Sequence, residues 1–167
     1  LVDDATGTTM SIMAEEETTA AAMRLLQQWV ERHGVPQALY ADKKTVYFSL
    51  REPTIEEQLA DEKPLTAFGL SCKKLGIEMI TAHSPQAKGR VERNHGVYQD
   101  RFVKELALEG ITTVAGADTL LPSFCGQLNA KFAIDTNSVP NHHRALPKGL
   151  DLRDVFCTDE LRTLAND

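Results

Sequence analysis

Two carboxylates stand at positions where catalytic groups are often found. Asp42 follows a short apolar run over residues 38–41, which is typical of a buried strand. In open α/β sheets, ligand-binding and catalytic groups gather at the carboxyl ends of strands. Glu92 lies in the first turn of a predicted helix, in a stretch that also carries three basic residues, Lys88, Arg90 and Arg93. Such a carboxylate suits a metal ion that faces a polyanion.

Each of these residues also has a plain structural interpretation. Asp42 could close a turn at the end of its strand. Glu92 could be one of the acids that are favoured at helix N-termini. Lys88, Arg90 and Arg93 could be ordinary surface charge.

The charge of the chain is unevenly distributed. The net charge of −6 counts against a simple nucleic-acid binder. Residues 83–104, however, hold five basic residues against two acids, whereas residues 15–17 and 52–62 and the tail from residue 151 are acidic. The sequence therefore permits a basic face on an acidic body.

Composition predicts one globular domain in the cytoplasm. The 167 residues are 42% hydrophobic, which is enough for a sizeable core. No apolar run approaches the ~20 residues of a membrane span, and no secretory signal pattern opens the chain. Cys72, Cys125 and Cys157 lie far apart without a CxxC pair, which argues against a disulfide framework or a zinc site and favours a reducing compartment.

The order of predicted elements is that of an α/β fold with a mixed sheet. Turn and cap signals and apolar periodicity separate the elements. They are a hairpin over residues 1–14, a helix from Thr18 or Thr19 to His33, a strand over 38–41, a polar excursion over 49–63 with a short helix over 55–59, a helix over 65–75, a strand over 77–80, a loop over 84–90, a helix with Val91, His95, Tyr98, Phe102 and Leu106 inward, and a helix that follows Thr112 or Thr113.

Four segments, taken in order, resemble a known family. They are Asp4-Ala5-Thr6-Gly7, Leu39-Tyr40-Ala41-Asp42-Lys43, Leu75-Gly76-Ile77-Glu78 and Ser84-Pro85-Gln86-Ala87-Lys88-Gly89-Arg90-Val91-Glu92-Arg93. Together they are similar to the integrase core of insertion-sequence transposases, close to the ISNCY group, and more distantly to retroviral integrases. The resemblance implies a ribonuclease H-like mixed sheet flanked by helices. It also implies an active site of three carboxylates (Asp, Asp, Glu) that holds two Mg²⁺ or Mn²⁺ ions.

Carried over position by position, the resemblance makes Asp42 and Glu92 catalytic residues and metal ligands. The basic residues near them are the candidates for contacts to DNA phosphates, namely Lys43, Lys44, Lys88, Arg90 and Arg93. Lys43-Lys44 replace the Asn-Gly that commonly follows the second Asp of the family. The spacing between the two carboxylates also exceeds the retroviral one, and residues 49–63 are about long enough to account for the excess.

The family's first catalytic Asp lies on a strand before the one that carries Asp3 and Asp4, so we expect the fold to lack its first strand and this chain by itself to be inactive. Asp3 and Asp4 are weak substitutes. Asp4 is expected to brace the turn at Thr6-Gly7.

The predicted function is therefore that of the catalytic core of a DNA transposase, which nicks transposon ends and joins them to target DNA. Its expected partners are the element's terminal repeats, target DNA and a second copy of the chain, with no membrane. Residues 1–134 would form the core, and residues 135–167 a linker and the start of a following segment. One alternative is an inactive remnant or regulatory core that binds DNA or dimerises; another is a structure-specific nuclease on the same fold.

Overall fold

The computed structural model describes residues 1–81, 85–135 and 138–158. Within these ranges the chain forms six helices and two strands. They are α1 (Thr19–His33), β1 (Ala38–Ala41), α2 (Ile55–Leu59), α3 (Ala67–Leu75), β2 (Glu78–Thr81), α4 (Pro85–Leu108), α5 (Val114–Phe132) and α6 (Leu152–Val155). The predicted α/β class is confirmed, and the helices and strands from α1 to α5 follow one another in the predicted order.

Threonine caps fix the starts of four helices, and the cap of α2 at Thr54 forms a capping box with Glu57. The hydroxyls of Thr18, Thr66 and Thr113 each accept a hydrogen bond from the backbone N–H three residues further on, at 3.1 Å in every case. Such caps satisfy one of the unpaired N–H groups at a helix start. At the other end of α3, Gly76 takes the left-handed conformation with φ of 65°, which glycine adopts without strain. The caps therefore hold α3 in register with the strand that follows it.

The two strands pair in parallel. Ala38 lies opposite Glu78, and Ala41 lies opposite Thr81. A parallel pair needs a crossover, which here runs through α2 and α3. The carboxyl ends of β1 and β2 therefore meet at one edge of the sheet, directly before Asp42.

The predicted mixed sheet does not form among the described residues. Residues 1–10 make a hairpin with one antiparallel bridge, between Val2 and Thr9. The sheet itself consists of β1 and β2 alone within the described ranges. The second arm of the hairpin instead contacts α5. The backbone N–H of Thr9 donates to Asn129 Oδ1, and Asn129 Nδ2 donates to the Thr9 carbonyl, both at 2.8 Å.

The hairpin turn is braced by Asp3, the residue before the one predicted to do so, Asp4. The backbone N–H and the hydroxyl of Thr6 both donate to Asp3 Oδ2, at 3.1 and 2.5 Å. Asp3 is the first residue of the turn, where a carboxylate reaches the N–H groups ahead of it. Asp4 is exposed.

A larger core joins α1, α3, the strands and α6. Its members are buried apolar side chains: Met23, Leu26, Val30, Val35, Phe68, Cys72, Leu75, Ile77 and Val155. Helix α1 supplies the first three. Leu26 and Cys72 are fully buried. This core holds β1 and β2 in place and so fixes the sheet edge at Asp42.

A smaller core lies between the second half of α4 and α5. It contains Phe102, Ala117, Leu121, Phe124 and Cys125. The rings of Phe102 and Phe124 lie 5.0 Å apart, and Tyr98 meets Phe124 edge-on.

The first half of α4 departs from the prediction in two respects. Residues 85–90 are helical and do not form a loop; Ser84 lies outside the described residues. Val91 and His95 are exposed, although the apolar period placed them inward. The reason is that the smaller core draws only on positions of α4 from Tyr98 onward.

Residues after α5 return to the larger core. The backbone N–H and carbonyl of Arg144 pair with those of Val35, each bond measuring 2.8 Å. The Ser71 hydroxyl donates to the Val155 carbonyl at 2.8 Å, and Val155 is 1% exposed. The part of the predicted linker that is described thus packs on the core, while the boundary at residue 134 stays a prediction. None of the described helices combines the length and the apolar character that a membrane crossing requires.

Candidate active site

Asp42 lies at the carboxyl edge of the parallel strand pair, one residue beyond the Ala41–Thr81 pairing. Its backbone carbonyl accepts a hydrogen bond from the Lys44 N–H at 2.7 Å, which turns the chain sharply away from the strand. Asp42 is half-buried and Lys43 is exposed. The predicted position of Asp42 at a strand end is confirmed.

A small polar cluster forms around the turn after β1. Lys44 Nζ donates to Glu17 Oε2 at 2.5 Å, and the Tyr47 hydroxyl donates to Glu17 Oε1 at 3.1 Å. The hydrogen bond to Glu17, reinforced by the charges of Glu17 and Asp42, raises the pKa of Lys44. Burial, together with the same two charges, raises the pKa of Tyr47 to about 12. Both groups stay protonated at neutral pH, and both donate to Glu17 close to the turn that follows Asp42.

Sequence reasoning missed this cluster. Glu17 lies 27 residues from Lys44 and 30 from Tyr47. Glu17 belongs to an acidic run that looks like solvated surface, so no local signal marks it. Its pairing with Lys44 also means that Lys44 must release Glu17 before it could contact a phosphate.

Glu92 lies two turns into α4 and is exposed. Arg93 is exposed as well, and its Nε donates to the Gly89 carbonyl one turn earlier at 3.1 Å. This bond leaves the other guanidinium N–H groups of Arg93 to project from the helix. The side chains of Lys88 and Arg90, the other two basic residues predicted here, lie outside what the structure describes.

The topology brings Asp42 and the start of α4 to the same edge of the sheet. β2 ends at Thr81 beside Ala41, and α4 begins four residues later at Pro85. Glu92 follows roughly 10 Å along the helix axis, at 1.5 Å per residue. That the two carboxylates converge on one metal ion stays a prediction.

The side chains of the candidate site are of the type that binds a magnesium or manganese ion, but they are fewer than the three carboxylates expected. Mg²⁺ prefers hard oxygen ligands, which Asp42 and Glu92 supply. Across residues 1–81, 85–135 and 138–158, no group of three or more His, Cys, Asp or Glu side chains is arranged to hold a metal. Asp3 belongs to the hairpin turn, where Thr6 occupies one of its carboxylate oxygens.

Comparison with known proteins gives two sequence relatives. The protein named "Putative transposase y4bF" from Sinorhizobium fredii is 36% identical over 163 residues, which cover 96% of this chain and 35% of that protein. The transposase for insertion sequence IS1202 from Streptococcus pneumoniae is 35% identical over 136 residues, which cover 81% of this chain and 29% of that protein. The chain thus spans about a third of the length of these curated relatives. No protein-family model matches the sequence.

Among solved structures, a similar chain occurs in the cryo-EM structure of the simian T-cell lymphotropic virus intasome in complex with PP2A regulatory subunit B56 gamma. The TM-score is 0.48 at 17% identity, and the match covers 96% of this chain and 48% of that one.

Proposed function

The chain is a relative of the insertion-sequence transposases, as its motifs predicted, and on that premise we propose that it is the catalytic core of a DNA transposase. In this proposal it has a ribonuclease H-like fold, cleaves phosphodiester bonds at the ends of a transposon and transfers those ends to target DNA. The observation that carries the proposal is the position of Asp42 at the carboxyl edge of the strand pair. Strand β2 ends at this same edge, and the chain continues from β2 into α4, the helix that bears Glu92.

Asp42 and Glu92 would hold the Mg²⁺ or Mn²⁺ ion. When bound, such ions activate a water or a 3′-hydroxyl and stabilise the leaving oxygen of an in-line displacement. Lys43 and Arg93 would contact the phosphates of the bound strand, with Lys88 and Arg90 beside them. Lys44 would join them after releasing Glu17. A second copy of the chain would be needed to hold both ends of one element.

One observation favours a second candidate function. The described residues offer no third metal ligand beside Asp42 and Glu92. A core with two carboxylates would bind Mg²⁺ weakly, since this ion gives up its water shell reluctantly. The second candidate is therefore a regulatory core that binds DNA or dimerises without cleaving it.

The test is cleavage and binding by the complete transposase on DNA that carries its terminal repeat. We expect Glu92→Gln and Asp42→Asn each to lower cleavage by more than about 100-fold, because each removes a metal ligand. DNA binding should stay nearly unchanged. Glu109→Gln is the matched control, because it makes the same substitution at an exposed site just beyond the end of α4.

Full cleavage by Glu92→Gln would refute the assignment of this carboxylate. If the unmodified protein binds the repeat but does not cleave it with either Mg²⁺ or Mn²⁺, the regulatory core is the better description.

A further inference from the structure

A groove runs between the second half of α4 and α5. Its volume is about 360 Å³. We call it the α4–α5 groove, and it is lined by Arg101, Lys104, Glu105, Phe124, Gln127, Leu128 and Lys131. Three of these residues are basic and one is acidic, so the groove has a positive rim on a protein whose net charge is −6.

An aromatic ring holds two of the basic groups in place. The guanidinium carbon of Arg101 lies 5.5 Å from the centroid of the Phe132 ring, and Lys131 Nζ lies 5.4 Å from it. Phe132 is 57% exposed. A ring attracts cations through its negative face. Phe132 thus lies within cation–π distance of two of the basic residues that line the groove.

Arg101 and Lys131 can bind an anionic ligand without first leaving an ion pair. Lys104 is paired with Asp100 at 2.6 Å. Among the described residues, no carboxylate lies within ion-pair distance of Arg101 or Lys131. A cation on a ring retains most of its attraction for an anion, whereas a cation in an ion pair must first exchange its partner.

Two basic residues of the groove share a side of α4 with Arg93, one of the residues predicted to contact DNA phosphates. Arg93, Arg101 and Lys104 lie within about 80° of one another around α4, at 100° per residue. Arg101 is roughly 12 Å further along the helix axis than Arg93. At about 3.4 Å per nucleotide of one strand, this distance matches three to four phosphates. Glu92 lies on a different side of α4.

We infer that the α4–α5 groove is a second contact site for the sugar–phosphate backbone of DNA, with Arg101 and Lys131 as its phosphate-binding residues. This inference rests on the proposed function. The occupant is argued from charge: three basic residues against one carboxylate line the groove, and this excess of positive charge suits the phosphates of a DNA backbone.

The test is binding of the 167-residue chain to a labelled DNA duplex of arbitrary sequence at a series of salt concentrations. We expect the double variant R101Q/K131Q to bind about tenfold more weakly at 0.1 M salt. The slope of log affinity against log salt should fall by about 2, at roughly 0.9 per phosphate contact. R101K/K131R keeps both charges and should bind like the unmodified chain.

The matched control is K73Q/R153Q, which removes one lysine and one arginine charge at α3 and α6. Both control residues are exposed and lie in surface ion pairs, with Glu62 and Asp151. Thermal unfolding of each variant checks that the fold is retained.

The outcomes separate the two proposals. If K88Q/R90Q weakens binding while R101Q/K131Q behaves like K73Q/R153Q, the groove proposal is overturned and the proposed function stands. A chain that binds no duplex at any salt concentration overturns both. Unchanged DNA binding with loss of self-association in R101Q/K131Q would make the groove a protein interface and would also overturn the inference.

Discussion

The indole nitrogen of Trp29 donates a hydrogen bond to Nε2 of His143 across 3.0 Å. An indole N–H can only donate, so this bond requires an unprotonated Nε2. The other ring nitrogen of His143 lies 3.1 Å from Asn141 Oδ1 and therefore carries the proton. The bond ties the segment after α5 to the buried face of α1 only while His143 is neutral.

This hydrogen bond predicts a change in fluorescence when its acceptor is removed. Trp29 is the single tryptophan of the chain, so tryptophan emission reports on the surroundings of this one ring. We expect His143→Ala to shift the emission maximum at neutral pH, because the variant removes the acceptor of the indole N–H. His142→Ala, at an exposed neighbour, should leave the emission unchanged. Identical spectra for the two variants would contradict the prediction.

The lowered pKa of His33 predicts that the folded state loses stability in mildly acidic solution. Its ring stacks on Trp29 at 4.5 Å, and burial, with Arg32 and His143 adding to it, lowers the pKa of His33 below 6.5. Asp3 opposes this shift. The unfolded chain therefore binds the proton more readily than the folded one. The free energy of unfolding should be fully retained above pH 6.5 and fall as pH decreases toward the folded pKa.

Urea unfolding at a series of pH values between 5 and 8 measures this effect. His33→Gln should flatten the dependence, whereas His95→Gln, at an exposed position on α4, should leave it as it is. A steeper dependence in His33→Gln would show that the sign is wrong.

Asn129 should contribute more to the free energy of unfolding than its partly buried position on α5 indicates. Its amide satisfies both backbone groups of Thr9, and Thr9 is 6% exposed. Asn129→Ala leaves both groups without this partner, so we expect a loss of about 1–3 kcal/mol in the free energy of unfolding. Gln127→Ala, on the exposed side of the same helix, should stay within about 0.5 kcal/mol. Equal effects of the two variants would argue against the contact.

Val155 tests whether the segment after α5 is part of the fold. It is 1% exposed in the larger core, so Val155→Ala should lower the free energy of unfolding by about 1–3 kcal/mol through lost burial and a residual cavity. Val103→Ala makes the same change at a side chain that is 61% exposed and should have little effect. If the midpoint of chemical unfolding is unchanged by Val155→Ala, then residues 138–158 do not contribute to the core.

Local chemistry made part of this fold predictable. The threonine caps of α1 and α5, the bounds of β1 and α2, and the stop at Gly76 depend on neighbours within a few residues, and each is confirmed. The place of Asp42 at a strand end followed from the same short-range signals.

What the sequence could not predict depends on distant partners. The apolar period of α4 marks a face of the helix but not how far its partner helix extends, which is why His95 was wrongly placed inward. The Asn129–Thr9 pairing spans 120 residues. The Glu17 contacts likewise join an exposed acidic run to a turn that only the folded chain brings near. Which of Asp3 and Asp4 braces the turn depends on where the turn starts, which the residue types leave open.

The three cysteine thiols are distributed so that their modification would report on the opening of each core separately. Cys72 lies in the larger core and Cys125 in the smaller one, and Cys157 is exposed. Burial raises the pKa of Cys72 to about 12, so almost no thiolate forms while the larger core is closed. A thiol reagent should therefore modify Cys157 first and reach the other two only during transient unfolding. Matching rates at Cys72 and Cys125 would mean that the cores unfold as one cooperative unit, and different rates would mean that the α4–α5 pair opens independently of the sheet.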